Sequence, residues 1–357
     1  MSDDKKKQSI SRRRFLLGAS AAVAGAAAAG SIRRGRGTAK AQEHRGDYAE
    51  DAHHAGAHDM AVVGECTSGT LDPDGYLTHF HYGDNQTPLG DGRTLREYTI
   101  HAVDKEVEIA PGVFFPAWAY ANVNAPGGNT GHVPGPTIRA REGDRIKINF
   151  FNQGSHPHTI HFHGIHTADM DGSMPRDYVN PGDKFVYEFD AGPFGLHLYH
   201  CHSVPLKRHI HKGLYGAFIV DPPTPRQEAR ELVMVMNGFD TNFDGDNEIY
   251  AVNSVAHHHM RHPIKVHRDE LIRVYLVNLT EFDPVNSFHI HANFFHEFRT
   301  GTKLEPDHFT DTVMQCQGER SILEMKIPNT GLFMFHAHQS EFAELGWMGL
   351  FDVVDPA

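Results

Sequence analysis

Short apolar runs recur along most of the chain at a spacing typical of β-strands. They are IKINFF (146–151), FVYEF (185–189), GAFIV (216–220), ELVMVM (231–236) and LIRVYLV (271–277). Each run is bounded by Gly, Pro, Asn or Asp, the residues that favour turns. No long stretch keeps the 3.6-residue period of a helix. The pattern therefore predicts an all-β protein built from β-sandwiches.

One long segment of the chain occurs twice. PGDKFVYEFDAGPFGLHLYHCH (181–202) aligns without a gap with QGERSILEMKIPNTGLFMFHAH (317–338). Upstream, RIKINFFN…HTIHFH (145–163) is similar to LIRVYLVN…NSFHIH (271–291), with a slightly longer loop in the second copy. An internal repeat of this length indicates two domains of similar construction.

We expect these domains to span 96–225 and 230–357, joined by the Pro-rich link DPPTPR (221–226). Residues 42–95 are polar and are predicted to form an extended N-terminal arm. The arm contains the cluster HHAGAH (53–58), which is interpreted as part of a solvated tail, with a weak metal site as the alternative.

The first 41 residues are predicted to be a targeting segment. SRRRFLL (11–17) matches the twin-arginine export pattern, and an Ala- and Gly-rich apolar run and a small-x-small site follow it. The run is short for a membrane span, although an uncleaved anchor is the alternative. We expect a mature chain that starts near Gln42, has no membrane span, and is periplasmic or otherwise extracytoplasmic.

Composition adds one unusual feature, a count of 29 histidines in 357 residues. Imidazole is the commonest metal ligand in proteins, so this excess indicates metal binding. The formal net charge of −12 argues against nucleic acid or an anionic membrane as a partner. The three cysteines are too few for a disulfide scaffold. Whether Cys66 and Cys316 pair is left open.

Four His-x-His pairs stand at matching points of the two repeats: His161/His163, His200/His202, His289/His291 and His336/His338. In a strand, alternate side chains leave the same face, so each pair directs two imidazoles at one point. The eight nitrogens are typical of copper, zinc or iron ligation. The absence of carboxylates and of a Cys pair from the set disfavours calcium, magnesium and a structural zinc site.

Cys201 lies between the two histidines of the second pair, so its side chain must leave the opposite face of the strand. We therefore expect it to bind a different ion. One thiolate, two imidazoles and a weak axial neighbour form a mononuclear blue-copper site. His158 and His209 are the candidate imidazoles, and Leu214 stands where the axial ligand would be. Because leucine cannot coordinate, the site should be three-coordinate, with a raised reduction potential.

The second repeat lacks this thiolate site. The counterparts of His158, Cys201, His209 and Leu214 are Asn286, Ala337, Leu345 and Leu350. The three binding groups are lost together, whereas the His-x-His pairs remain. The pattern favours one electron-entry copper that serves one cluster shared by both domains.

These motifs resemble those of two-domain multicopper oxidases, in the laccase-like subgroup with the type 1 copper in the first domain. The motifs are HTIHFHG (158–164), YHCHSVPLKRHIHKGLYG (199–216), FHIH (288–291) and FHAH (335–338). The resemblance implies two tandem cupredoxin-like Greek-key β-sandwich domains. It also implies four coppers per chain, with type 1 ligands His158, Cys201 and His209, type 2 ligands His161 and His289, and type 3 ligands His163, His200, His202, His291, His336 and His338.

The resemblance further implies an activity and an assembly. The expected enzyme oxidises a small phenolic, aromatic amine or metal-ion donor one electron at a time and reduces dioxygen to water. Relatives of this kind are usually homotrimers, with the copper cluster between the first domain of one subunit and the second domain of the next. The same closed symmetry is expected here.

Two alternatives remain. Copper nitrite reductases share the architecture, but this chain has His161 where their catalytic Asp would be and His202 where an Ala would be. A copper carrier without oxygen chemistry would not need a matched set of eight histidines. Metal content distinguishes the three classes, since an oxidase would hold four coppers per chain, a nitrite reductase two and a carrier one.

Other polar residues near the motifs have no assigned role at this stage. Candidate proton donors are Asp169, Asp171 and Glu341, with a turn or solvated role as the alternative for each. His156 and His166 flank the first motif and are interpreted as surface residues, with a role as partners of the metal ligands as the alternative. The segment HHHMRH (257–262) is expected to lie in a loop between strands without a fixed role, with a place along the substrate approach as the alternative.

Overall fold

The computed structural model describes residues 64–126 and 129–356. The expected export signal and the HHAGAH cluster lie outside these residues. The described part is nearly all β, which confirms the predicted fold class. No helix in it is long and apolar enough to cross a membrane.

The first half of the described chain begins with a short helix, α1 (Pro73–Thr78), and contains a second one, α2 (Leu206–His211). Two 3₁₀ turns lie at Ala168–Met170 and Pro175–Asp177. Its strands are β1 (Phe80–His81), β2 (Asn85–Pro88), β3 (Thr94–Ala110), β4 (Val113–Asn122), β5 (Asn129–His132), β6 (Thr137–Arg141), β7 (Arg145–Asn152), β8 (His161–Phe162), β9 (Lys184–Asp190), β10 (Gly195–His200) and β11 (Tyr215–Asp221).

The second half repeats this plan with the helices α3 (His258–Arg261) and α4 (Ser340–Glu344). Its strands are β12 (Arg230–Phe239), β13 (Ile249–Val252), β14 (Ile264–His267), β15 (Ile272–Asn278), β16 (Val285–Ile290), β17 (Phe295–Arg299), β18 (His308–Thr310), β19 (Thr312–Cys316), β20 (Arg320–Met325), β21 (Gly331–His336) and β22 (Met348–Val354).

Among the described residues, each half forms two sheets. The first half has the orders β1-β6-β11-β10-β8 and β5-β4-β3-β7-β9, with β2 paired to β3. The second half has the orders β13-β12-β15-β20-β17-β18 and β14-β22-β21-β16-β19. Strands β1 and β2 come from the segment that the sequence analysis assigned to an extended arm, and they pair with β6 and β3.

The apolar pattern explains how the sheets pack. Strand β7 alternates between buried and half-buried residues, as expected for a sheet with one face on a core. Strand β12 is buried along almost its whole length. Leu232 and Met234 of β12 pack in the core of the second half, whereas Val233 and Val235 pack with Leu196 and Leu198 of β10. A shared apolar core therefore joins the two sandwiches.

Candidate metal centres

Cys201 and the two candidate imidazoles His158 and His209 meet in the first sandwich, and all three are buried. Cys201 follows β10 directly, His209 lies in α2, and His158 forms an isolated bridge with Val179. The Cys201 Sγ atom is 3.2 Å from His209 Nδ1 and 3.9 Å from His158 Nδ1. The two Nδ1 atoms are 3.2 Å apart. Three donor atoms thus surround one point.

This triad fits a single soft metal ion. Bonds of roughly 2.0 to 2.3 Å from a central ion to nitrogen and sulfur would place the donor atoms about 3.5 Å apart, close to the observed spacing. Burial lowers the pKa of His158 to about 3 and that of His209 to about 4, so both imidazoles are neutral and keep a lone pair. Burial raises the pKa of the Cys201 thiol, so a cation is needed to hold it as a thiolate.

Other contacts hold the sulfur in an apolar, water-poor pocket. The backbone N–H of Thr159 donates to Cys201 Sγ at 3.4 Å. Leu214 is fully buried in the same apolar cluster as Cys201, and its carbonyl accepts from the Cys201 N–H at 2.9 Å. Leu214, at the expected axial position, therefore presents a hydrocarbon side chain to the site and no donor atom.

Trp118, which was not predicted from sequence, covers the two imidazoles of this triad. Its ring centroid is 5.2 Å from that of His158 and 4.8 Å from that of His209. His156, interpreted from sequence as a surface residue, packs on the same ring at 4.5 Å. The Arg208 guanidinium lies over it at 5.2 Å. No local motif marks Trp118, since it approaches the site from another strand, β4.

The histidines on either side of Cys201 face away from the triad. Leu196 and Leu198 of β10 belong to the shared core between the sandwiches, whereas Tyr199 and Cys201 belong to the core of the first sandwich. His200 alternates in phase with Leu196 and Leu198, so it shares their face of the strand, and its ring contacts other histidines. The alternation of the strand therefore separates the sulfur from its neighbouring rings.

The first imidazole cluster is formed by His161, His163, His200 and His202. His161 pairs with His200 across strands β8 and β10. The Nε2 atoms of His163 and His200 are 2.9 Å apart. The Nδ1 atoms of His161 and His200 donate to the carbonyls of Asp171 and Cys201, both at 2.9 Å. These bonds place the ring protons on Nδ1 and leave the Nε2 lone pairs free for a metal.

The second imidazole cluster, His289, His291, His336 and His338, repeats this geometry. His289 pairs with His336 across β16 and β21, and the Nε2 atoms of His291 and His336 are 3.0 Å apart. His289 Nδ1 donates to the Asp311 carbonyl at 3.0 Å, and His336 Nδ1 donates to the Ala337 carbonyl at 2.5 Å. The two copies of the sequence repeat therefore orient their imidazoles in the same way.

A hydroxyl group fixes the last histidine of each cluster in the same way. The His202 N–H donates to Thr159 Oγ1 at 3.0 Å, and the His338 N–H donates to Ser287 Oγ at 2.8 Å. The sequence analysis did not single out either hydroxyl. Their matching positions, two residues before His161 and His289, are the signal that could have identified them.

The chemistry of the clusters fits metal binding. Burial, with smaller effects from neighbouring imidazoles, lowers the pKa of His163 to about 3, so its ring stays neutral. Burial is also the main cause that lowers the pKa of His200 to about 4. The Nδ1 atom of His202 is buried without a hydrogen-bond partner. Buried, neutral imidazoles with converging nitrogens are typical of transition-metal ligands.

The two clusters are separate in a single chain. In the described part of the chain, each ring contact among these eight histidines joins two members of the same cluster. The second cluster lies at the surface, where His291 and His338 are exposed. Large exposed apolar side chains occur in the same sandwich, namely Phe294, Phe309, Met314 and Leu332.

Of the three candidate proton donors, only Asp171 lies at a cluster. Its Oδ1 atom is 3.3 Å from His161 Nδ1 and 3.4 Å from His166 Nε2. A hydrogen bond from Ser173 lowers the pKa of Asp171. Asp169 is exposed and accepts from Thr167, and Glu341 is exposed. His166 thus lies beside the cluster, because Asp171 contacts both His166 and the cluster member His161.

The cysteines outside the triad do not pair. Cys66 and Cys316 are free thiols, the first half-buried and the second exposed.

The chain is similar to known families and solved structures. Two family models described as Multicopper oxidase match residues 121–225 and 225–357. A crystal structure of a multicopper oxidase is 55% identical, with a TM-score of 0.76, over 80% of this chain and 98% of that one. A probable nitrite reductase-hydroxylamine oxidoreductase fusion protein of Kuenenia stuttgartiensis is 30% identical over 69% of this chain and 30% of its own length.

A shorter similarity links part of the chain to an L-ascorbate oxidase of Cucumis sativus. It is 40% identical over 110 residues, which are 28% of this chain and 18% of that protein. The chain thus spans less than one third of the length of either of these two curated relatives.

Proposed function

Because the chain belongs to the multicopper oxidase family, we propose that it couples the one-electron oxidation of a small donor to the four-electron reduction of dioxygen to water. The observation that carries this proposal is the matched pair of imidazole clusters, one in each sandwich, with a thiolate triad beside only one of them. A carrier or a simple electron-transfer protein has no use for the second cluster.

The proposed ligands follow the geometry. The triad of Cys201, His158 and His209 would hold a type 1 copper. His161 and His289 would hold the type 2 copper. The remaining six histidines of the two clusters would hold a type 3 pair, and these are His163, His200, His202, His291, His336 and His338. The proposed content is four coppers per chain.

Bound copper would supply one-electron transfer at the triad and oxygen reduction at the cluster. The chain supplies the connection, because His200, the last residue of β10, and His202 are the covalent neighbours of Cys201. Thr159 contributes to both sites, since its N–H donates to the Cys201 sulfur and its hydroxyl accepts from the His202 N–H. The ionised Asp171 carboxylate would orient His161 and His166 rather than deliver a proton itself.

We propose that the oxygen site is completed between copies of the chain in a homotrimer. Three observations support this. The clusters are separate in one chain, the second cluster is at the surface, and its sandwich exposes Phe294, Phe309 and Met314. Phe294 and Phe309 stack with ring centroids 5.3 Å apart, and adjoining exposed apolar side chains are typical of interfaces. The donor is proposed to be a phenol, an aromatic amine or a metal ion, and the site of action to be extracytoplasmic, after twin-arginine export.

Copper nitrite reduction is the second candidate, because a relative named as a probable nitrite reductase fusion protein matches most of the described chain. His161 and His202 favour the oxidase, since both positions supply imidazoles to a cluster of four, where a nitrite reductase would have Asp and Ala. Their ring centroids are 5.2 Å apart.

Replacing Cys201 with Ser tests the proposed function. The copper-loaded variant should lose the blue colour and lower donor-dependent oxygen uptake on the order of 100-fold or more, since a metal ligand is removed. It should retain three of the four coppers, because the cluster ligands face away from residue 201. Absorption spectra, metal analysis and an oxygen electrode provide the measurements.

Cys316→Ser is the matched control, since Cys316 is an exposed free thiol, and it should keep the colour and the activity. Background oxygen uptake by the wild type, together with turnover of nitrite to nitric oxide, would contradict the oxidase and favour the second candidate. Loss of all copper from Cys201→Ser would contradict the separation of the two sites.

A further inference from the structure

The proposed function leaves the His-rich segment HHHMRH (257–262) without a role. In the structure this segment forms helix α3, and α3 lies beside Asp74 of helix α1. Helix α1 belongs to the part of the chain that precedes the first sandwich. Helix α3 belongs to the second half. Three potential metal ligands from distant parts of the sequence therefore meet at one place.

The ligand atoms are close together. One Asp74 carboxylate oxygen lies 3.0 Å from His258 Nε2, and the other lies 3.7 Å from His259 Nδ1. The three ligand atoms lie within 4.8 Å of one another. A small inward movement would place all three ligand atoms at roughly 2.0 to 2.2 Å from a central ion, the distance at which nitrogen and carboxylate oxygen bind zinc.

His259 provides an independent indication of a ligand. Its side chain is fully buried, and neither ring nitrogen has a hydrogen-bond partner of good geometry. Burying a polar group without a partner is costly, so such a group in a native structure needs an explanation. A metal ion bound between Nδ1 and the Asp74 carboxylate would supply the partner that the Nδ1 atom lacks. Burial lowers the pKa of His259 to about 3, which keeps its lone pair available.

The surroundings leave room for an ion to enter and for a further ligand. The Asp74 side chain is 58% exposed, so the carboxylate stands at the mouth of the site. A cavity of about 280 Å³ borders His258 and His262 and is also lined by Glu65 and Cys66. The ring of His262 lies 4.7 Å from that of His258, and its Nε2 contacts Glu65 at 2.8 Å.

We propose that Asp74, His258 and His259 bind one divalent transition-metal ion of the zinc or cupric class, at a site separate from the copper centres. Two imidazoles and one carboxylate with an open position are typical of such ions, whereas calcium and magnesium prefer oxygen ligands alone. The bound ion joins α1 to α3 and thereby stabilises the attachment of the N-terminal segment to the second sandwich.

Calorimetric titration of the copper-loaded full-length chain with zinc chloride tests this proposal. The wild type should bind one zinc ion that Asp74→Asn and His258→Gln bind at least about tenfold more weakly. Zinc should raise the thermal unfolding midpoint of the wild type more than that of either variant. These two positions are preferred to His259, whose replacement in the core could disturb folding.

His308→Gln is the control, because His308 is an exposed histidine that contacts a carboxylate, Glu297, at 2.9 Å without a third ligand. It should bind zinc as the wild type does. Equal zinc binding by the wild type and both site variants would overturn the proposal and place the ion elsewhere, for example at His53, His54 and His58. Failure of the wild type to bind zinc would overturn it as well.

Discussion

Leu214 is the residue through which the protein chain most directly sets the properties of the thiolate triad. It is fully buried with Cys201 and Trp118 in one apolar cluster. Its side chain offers no atom that binds a metal, so the triad has only three donor atoms of its own. A weak axial ligand is one of the main determinants of the potential of such a copper site.

Leu214→Met should therefore lower the reduction potential of the proposed type 1 copper, because a thioether sulfur would stabilise the oxidised ion. The exchange conserves volume, so the free energy of unfolding should change by less than about 1.5 kcal/mol. A redox titration followed at the blue absorption band measures the shift. Leu350→Met, at the matching position of the second repeat, should leave the potential unchanged.

The ligand set could be proposed from sequence because it depends on local backbone geometry. In YHCH and HTIHFH, the alternation of extended backbone predicts which side chains share a face, whereas His209 in helix α2 was proposed from its place in the motif. Trp118 and the site at Asp74 could not be found in this way. Both depend on contacts between segments far apart in the chain, and a single sequence shows no periodicity for such contacts.

Strand β12 connects the two sandwiches through charge as well as through its apolar residues. Glu231 of β12 accepts from Arg139 of β6 at 2.6 Å, from Tyr275 at 2.6 Å and from Arg273 at 3.2 Å. Arg139 also contacts Asp221 at 2.8 Å. Burial alone would raise the pKa of Glu231, but the interactions with Arg139, Tyr275 and Arg273 together outweigh it, and the pKa is lowered.

Glu231→Gln should destabilise the protein by about 3 kcal/mol, because it leaves two largely buried guanidinium groups short of a partner. The lowered pKa means that Glu231 stabilises the fold above the ordinary carboxyl pKa of roughly 4.3, and that this contribution is lost as the pH falls through the folded-state pKa. Urea unfolding at pH 7 and at acidic pH should show the difference between wild type and variant shrinking in acid.

Glu188→Gln removes an exposed partner of Arg145 and should cost less than about 1 kcal/mol. An equal loss in both variants, or a difference for Glu231→Gln that is independent of pH, would show that the Glu231 network does not hold the sandwiches together.

The shared core illustrates how far the whole fold could be predicted. The apolar runs indicated sandwiches, and the repeat indicated that there are two of similar construction. The run ELVMVM in β12 showed burial on both faces, yet it could not identify Leu196 and Leu198 as the partners of Val233 and Val235. Strand pairing and sheet packing depend on contacts between residues far apart in sequence. For this reason the segment 80–95, which was predicted to be part of an arm, could not be assigned to the sheets.

A homotrimer should be the form that consumes oxygen. Phe309→Glu places a charge against the exposed Phe294 ring and should shift the copper-loaded protein toward single chains. Charges are disfavoured at the buried core of an interface, so the variant should dissociate. Oxygen uptake should fall at least about tenfold together with this dissociation. The blue band should remain, because the triad lies within one chain. Sedimentation velocity and oxygen uptake on the same samples provide the measurements.

Phe114→Glu is a comparison at another exposed phenylalanine, in the first half, and should leave both properties as in the wild type. Single chains of Phe309→Glu that still reduce oxygen at the wild-type rate would contradict a site shared between copies.

The division of the eight imidazoles between two surfaces has a consequence for a newly folded chain. Under the proposed assembly, such a chain can accept an electron at its own triad but holds only half of the place where that electron would be used. Dilution would then switch the enzyme off without unfolding it. The protein would handle oxygen only when enough copies are present to close the ring, so that stray single chains are harmless.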